Sequence, residues 1–288
     1  MTFAKRILNF TFQLGQGQFS ADGSDTVTLE GLRASVTITR AGIGYARADV
    51  QIWGMSQDLM NKLTVTQKFF WQQVNYNQIT ISAGDDQGGV AVAFAGVIRE
   101  AWADARQQPD VMFHVMADTA MFNLSKLIPP TSYNGAVDIA TALSGIANQI
   151  GYTLKNSGVT GQLQYVYKPG SPKSQIESLC RDVGCDFDID DAQMIIAIWP
   201  KNKARDAEAI KVSPDSGLVG YPAFTQSGLQ LTTLYNPNLA YGVPIMIDCP
   251  FTAANGQWAV YSLSHRLEAN IPQGQWFSDI ETSYFGAG

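Results

Sequence analysis

Apolar and polar residues alternate through much of the first 120 positions. Phe10/Phe12/Leu14, Val36/Ile38, Val50/Ile52, Ile79/Ile81, Val90/Val92/Phe94 and Val111/Phe113/Val115 each place apolar side chains two residues apart. A period of two puts such a set on one face of a strand, so the region is expected to be β with one face buried. One short helix interrupts it. Ser56 is placed to cap that helix, Asp58 falls in the first turn where the helix dipole favours an anion, and Leu59 and Leu63 lie one turn apart.

After Pro129-Pro130 the period changes. Val137, Ala140, Leu143, Ala147 and Ile150 share a helical face that Gly151 can end, which predicts a helix near 135–150. A second helix is expected over 172–183. Ser171 stands at its N-cap and Pro172 in its first turn, Ile176, Leu179, Cys180 and Val183 follow helical spacing, and Gly184 closes it. A hairpin over 185–199 should come next, with Cys185/Phe187/Ile189 inward, Asp186/Asp188/Asp190 outward, Asp191 in the turn and Met194 to Trp199 returning. Lys201 to Glu208 reads as a polar surface linker. From about 213 the strand pattern resumes with Leu229/Leu231, Ile245/Ile247, Val260 to Ser264 and Trp276 to Tyr284. The expected organisation is therefore mainly β with an α+β insertion: a β-domain over 1–120, the insertion over 121–212 and a second, trimmed β-domain over 213–288.

The two β regions run through similar events. An Ile-x-Ile strand (Ile79/Ile81 or Ile245/Ile247) precedes a strand through Val97 or Val260, then a polar stretch, Pro109 or Pro272, and a returning strand with Phe113 or Trp276. The offset is 166 residues at the isoleucines and 163 from the valine to the aromatic, a difference a turn absorbs. LTTLYNPNL (231–239) likewise resembles WGMSQDL (53–59). This order and spacing read as two copies of one β-domain, with Phe113 and Trp276 in equivalent places.

Composition narrows the function. With 288 residues, 45% apolar, the chain has material for about two domains, and only 15% charged residues suits short strands and turns. The net charge of −6, without basic runs interleaved with aromatics, argues against gripping DNA through phosphate neutralisation. It does not argue against letting DNA slide past, which a basic lining would hinder. MTFAKRILNFTFQLG alternates as a strand does, not as a signal peptide, and no apolar run reaches the roughly 18 residues of a membrane span, so manufacture in a cytoplasm is expected. Cys180, Cys185 and Cys249 lack zinc-like spacing and read as reduced, buried thiols.

Candidate chemistry is sparse. His114 and His265 are the only near-neutral acid/base side chains and sit in no nucleophile or metal motif, and GQGQFS at Gly15 precedes no helix pattern. Asp186, Asp188, Asp190 and Asp191 open like a calcium loop. But position six is Asp191 where glycine is needed, and position twelve is Ala197 where a bidentate glutamate belongs. Asp22/Asp25, Asp85/Asp86 and Asp104 supply carboxylates for a glycosidase pair, yet all fall in expected loops, where aspartate forms turns. Phe69, Phe70 and Trp71 cannot all face one core, so they mark either a cradle under a loop or a partner contact. No catalytic, cofactor or metal site is assigned, and no enzyme is expected.

Three segments carry a resemblance: GVIREAWADARQQPDVMFHVMA (96–117), YKPGSPKSQIESLCRDVGCDFDIDD (167–191) and VYSLSHRLEANIPQGQWFSDIETS (260–283). In the last, a strand ends in a histidine, a polar excursion follows and a tryptophan opens the final strand. The whole is similar to the baseplate hub proteins of contractile-tailed bacteriophages, the late control D and Mu-like hub family. That resemblance implies two tube-type β-barrel domains flanking the insertion and a homotrimer adapting the hexameric tail tube to a three-fold central spike. It further implies contacts with other baseplate proteins, a channel through which DNA passes without specific binding, no stable membrane insertion, and residence in the virion tail. The family supplies no catalytic position, and His265 and Trp276 become fold residues. The rival readings are a β-sandwich carbohydrate-binding or host-recognition module, suggested by the aromatics and Gln/Asn-rich loops, and a cell-wall hydrolase using a carboxylate pair.

Overall fold

The computed structural model describes residues 4–20, 23–41, 46–66, 76–106, 108–119 and 128–283. The first region contains β1 (Arg6–Gln13), β2 (Thr26–Leu29), β3 (Arg33–Ala41), β4 (Arg47–Trp53), α1 (Gln57–Leu63), β5 (Gln78–Asp85), β6 (Gly89–Asp104) and β7 (Met112–Asp118). The insertion follows with β8 (Thr131–Asp138), α2 (Ile139–Ile150), β9 (Thr153–Asn156), β10 (Gln162–Lys168), α3 (Pro172–Val183), β11 (Cys185–Asp190) and β12 (Ile195–Pro200). The last region has β13 (Ile210–Val212), β14 (Leu218–Phe224), β15 (Leu229–Leu234), β16 (Pro244–Ile247), β17 (Gly256–Ala269) and β18 (Trp276–Ser283). The fold is mainly β, as the alternation predicts.

Both outer regions share one sheet. Its path runs β14-β15-β18-β17-β3-β4-β7-β6-β5-β1-β2, with β16 also on β17 and β13 on β16. The seam between regions is β3 against β17, antiparallel from Ala34↔Ala269 to Ala41↔Ser262. Alternation buries Val36, Ile38, Val50, Ile52, Phe113 and Val115 in one apolar core, to which Leu267, Ala269 and Trp276 of the last region also belong. A second core lies under β14 to β18 and a third inside the insertion.

The near-repeat is present in the pairing register. Ile79 faces Gly96 and Ile81 faces Phe94, as Ile245 faces Trp258 and Ile247 faces Gly256. On the other side of the long strand, Ile98↔Ala117, Ala101↔Val115 and Asp104↔Met112 match Val260↔Thr282, Leu263↔Ile280 and Arg266↔Phe277. Both ladders are interrupted at the same place, between Ile98 and Glu100 and between Val260 and Ser262. The next strand also keeps step, since Val50↔Val115 and Ile52↔Phe113 match Leu231↔Ile280 and Thr233↔Ser278. Hence the order β3, β4, β7, β6, β5 recurs as β14, β15, β18, β17, β16.

This register corrects the expected equivalences. Val260 matches Ile98, not Val97, and Phe113 matches Ser278, two residues beyond Trp276. Phe113 and Trp276 in fact meet in the same core. The two aromatics share a sequence offset but not a register because the β6–β7 and β17–β18 connections differ in length.

The helices form where caps permit. Ser56 accepts from the Leu59 amide at 3.3 Å, Asp58 and Lys62 pair at 3.0 Å, and Met60 and Leu63 turn inward. Ser171 and Gly184 bound α3 as expected, Gly184 in the left-handed conformation at φ +69°. The helix expected near 135–150 starts only at Ile139, because residues from Thr131 pair with β10 and Asp138 caps α2 through the Ala140 amide at 2.8 Å. Val137 therefore lies on a strand, and the buried helical face is Ile139, Ala142, Leu143, Ile146, Ala147 and Ile150. Val90 and Val92, assigned to a strand face, are 45% and 49% exposed, since β6 projects there beyond the core. Asp22, Phe69, Phe70, Trp71 and Tyr284 lie outside the described residues.

Candidate functional surface

The residues proposed for chemistry do not converge. Asp188 turns to Arg40 and Arg205, Asp190 accepts from the Ala192 and Gln193 amides, and Asp191 accepts from the Tyr152 hydroxyl. Asp85 closes its hairpin by accepting from the Gln87 and Gly88 amides, Asp25 accepts from Gln13 and Thr26, and Asp104 pairs with Arg106. Asp86 holds the Lys5 amide at 2.8 Å. These are turn and ion-pair roles. Gly15 lies in the loop after β1 with its amide on the Asn77 side chain at 3.0 Å. Among the described residues no three His, Cys, Asp or Glu side chains stand close enough to hold a metal ion.

His114 stacks on Trp102 with ring centres 4.8 Å apart. His265 is buried, its Nδ1 2.8 Å from the Ser278 hydroxyl and its ring edge-on to Tyr235. Burial, then the nearby Arg40 charge, lower its pKa to about 3, so the ring is neutral. Burial also pushes the Tyr235 hydroxyl up to about 12. Cys180, Cys185 and Cys249 are buried and free of disulfides.

The alternation along β11 predicts Asp188 on the solvent face of an amphipathic strand. It is instead buried, at 3% exposure, because the outer face of β11 packs towards the large sheet. Arg40 of β3 reaches it at 2.8 Å and Arg205 from the 201–208 segment reaches it too, while the Arg205 guanidinium lies 4.6 Å above the Trp199 ring. A segment expected to be a plain surface linker thus helps to hold three parts of the chain together. The sequence signal was Arg205 itself, the guanidinium in a stretch otherwise suited to solvent.

The principal surface is the solvated face of the large sheet. Because side chains alternate, the residues between the buried ones form continuous rows across the seam. Leu234, Phe277, Arg266, Thr37, Asp49, Met116 and Glu100 stand side by side over seven strands. The adjoining row is Thr232, Asp279, Ser264, Thr39, Arg47 and Asp118. Its arginines are neutralised locally: Arg47 binds Asp118 at 3.0 Å and Arg266 holds Asp279 with two nitrogens. Asp49, Glu100 and Glu281 on this face form no ion pair among the described residues. The face is polar, acidic on balance and common to both regions.

A family profile described as baseplate hub gp41 matches residues 7–272. No curated protein matches the chain. Among solved structures, the tail protein from Neisseria meningitidis has a TM-score of 0.62 at 7% identity, covering 96% of each chain. The prophage MuSo2 43 kDa tail protein from Shewanella oneidensis scores 0.58 at 10% identity, over 96% of this chain and 97% of its own. An E. coli type VI secretion component, described as similar to the T4 tail proteins gp27 and gp5, scores 0.54 at 11% identity over 89% and 77%. At such identities the likeness is one of fold.

Proposed function

The chain belongs to the baseplate hub gp41 family, a component of the virion tail, and on that premise we propose that it is a homotrimeric, non-enzymatic ring joining a six-fold tail tube to a three-fold spike. One observation carries the proposal: strand order and register recur within one chain, so three chains supply six similar units around an axis. On this reading the regions over 1–120 and 213–288 are two tube-type domains and 121–212 is an insertion between them. The central spike, the tube ring and other baseplate proteins are its partners.

The solvated face that crosses the β3–β17 seam then lines the DNA channel. Duplex DNA carries one charge per roughly 1.7 Å, and each basic group that met a phosphate would hold it by releasing counterions. On this lining Arg47 and Arg266 are bound to aspartates and Arg33 lies over the Trp53 ring, while Asp49, Glu100 and Glu281 keep the balance acidic, which lets the polyanion move.

The experiment is mass in solution together with particle imaging. A concentrated sample, or the baseplate itself, should show three 31.3 kDa chains around a central hole. A chain that stays monomeric and is missing from the baseplate ring would overturn the proposal.

A further inference from the structure

The seam inside one chain specifies a contact between chains. β3, the outer strand of the first unit, is completed by β17 of the second. Its register counterpart in the second unit is β14, which ends the sheet. Among the described residues nothing pairs with the far edge of β14, and its Val219, Tyr221 and Phe224 are 41%, 61% and 61% exposed. An open edge bearing large apolar side chains is a liability unless something covers it.

The counterpart of the seam names the cover. Ile38 faces His265 across β3–β17, and the two are only 2% and 6% exposed. Ile38 also faces Ala48, as Phe224 faces Leu229, so Phe224 stands where Ile38 does. His265 faces Ser278 as Ala103 faces Phe113, so Ala103 stands where His265 does. Phe224 and Ala103 are both exposed. Across the irregularity of β14 between Val219 and Ala223, the same steps pair Val219, counterpart of Ser35, with Arg106, counterpart of Glu268 in sequence offset along β17. On β6, Ala101, two residues earlier, is already bridged to Val65, so an incoming strand has its place from Ala103 onward.

We propose that β14 of one subunit docks along the end of β6 of a second copy of this chain, with Phe224 over Ala103, repeating between chains the β3–β17 contact within each. The contact is head-to-tail, so each subunit offers β14 on one side and β6 on the other, and with the rotation of a three-fold hub three such contacts close into a ring. The inference rests on the trimeric hub reading and adds the strands that make it.

Assembled tails carrying Ala103→Cys with Phe224→Cys should, on mild oxidation, yield covalent dimers and trimers on a non-reducing gel. Either single variant should stay monomeric there. Val219→Cys with Arg106→Cys probes the same contact on the other side of the β14 irregularity and guards against a pair that disturbs assembly. Tails that contain the hub as a three-fold ring, yet cross-link through neither pair, would overturn the docking while leaving the hub reading intact. Absence of the chain from the ring would instead overturn the hub reading.

Discussion

The Asp188 carboxylate lies 2.8 Å from the Arg40 guanidinium, 148 residues earlier in the chain, and accepts from Arg205 as well. Asp188 and both arginines are largely withdrawn from water, at 4%, 14% and 16% side-chain exposure. Removing the shared anion leaves two buried cations facing each other. Asp188→Ala is expected to cost about 3–5 kcal/mol in urea unfolding, the range for breaking one partner of a buried pair. A loss below about 1 kcal/mol would show that the triad does not fasten the insertion to the sheet.

Acid should weaken the protein through His265. Its folded pKa is about 3 against an ordinary 6.5, so the unfolded state binds a proton that the folded state refuses between those values. The contribution is complete above pH 6.5 and is lost as pH falls towards 3, at up to about 1.4 kcal/mol per pH unit. His265→Asn should flatten that part of the stability profile measured by urea midpoints from pH 7 to pH 4. A variant whose profile keeps the wild-type slope would assign the acid sensitivity elsewhere.

The strands and α3 were legible because their signals are local. Phe10/Phe12 alternation, Ser171-Pro172 at a helix start and Gly184 at its end each act within a few residues. The repeat was legible in outline through Ile79/Ile81 and Ile245/Ile247. Its register was not, because loops of unequal length lie between the strands and only the ladder irregularities after Ile98 and Val260 fix the phase. The burial of Asp188 and the late start of α2 are not legible locally for the same reason: what lies against a strand, Arg40 in one case and β10 in the other, comes from far along the chain.

Reversing charge on the solvated face should convert free passage into retention. Asp49 and Glu281 are exposed there and unpaired among the described residues. Asp49→Lys with Glu281→Lys adds cations that can each neutralise about one phosphate, so binding to duplex DNA should rise and fall off with salt at a slope increased by up to about 0.9 per contact. In particles, DNA release should slow while adsorption is unchanged. Release at the wild-type rate, with no DNA retained at low salt, would remove this face from the channel.

The two units solve one position differently, which allows the register to be tested energetically. Ala103 faces Phe113 in the first unit where His265 faces Ser278 in the second, a buried polar pair joined at 2.8 Å. His265→Ala alone leaves the Ser278 hydroxyl buried without its ring partner, and Ser278→Phe alone crowds the imidazole, so each should cost about 1–3 kcal/mol. Together they recreate the first unit's pair. The double variant is therefore expected to lose less than the two single losses combined, by about 1–3 kcal/mol, in a urea double-mutant cycle. Strict additivity would mean that the shared register does not extend to interchangeable packing, and that the second unit has diverged around Tyr235 and Trp276, whose rings lie 5.6 Å apart beside His265.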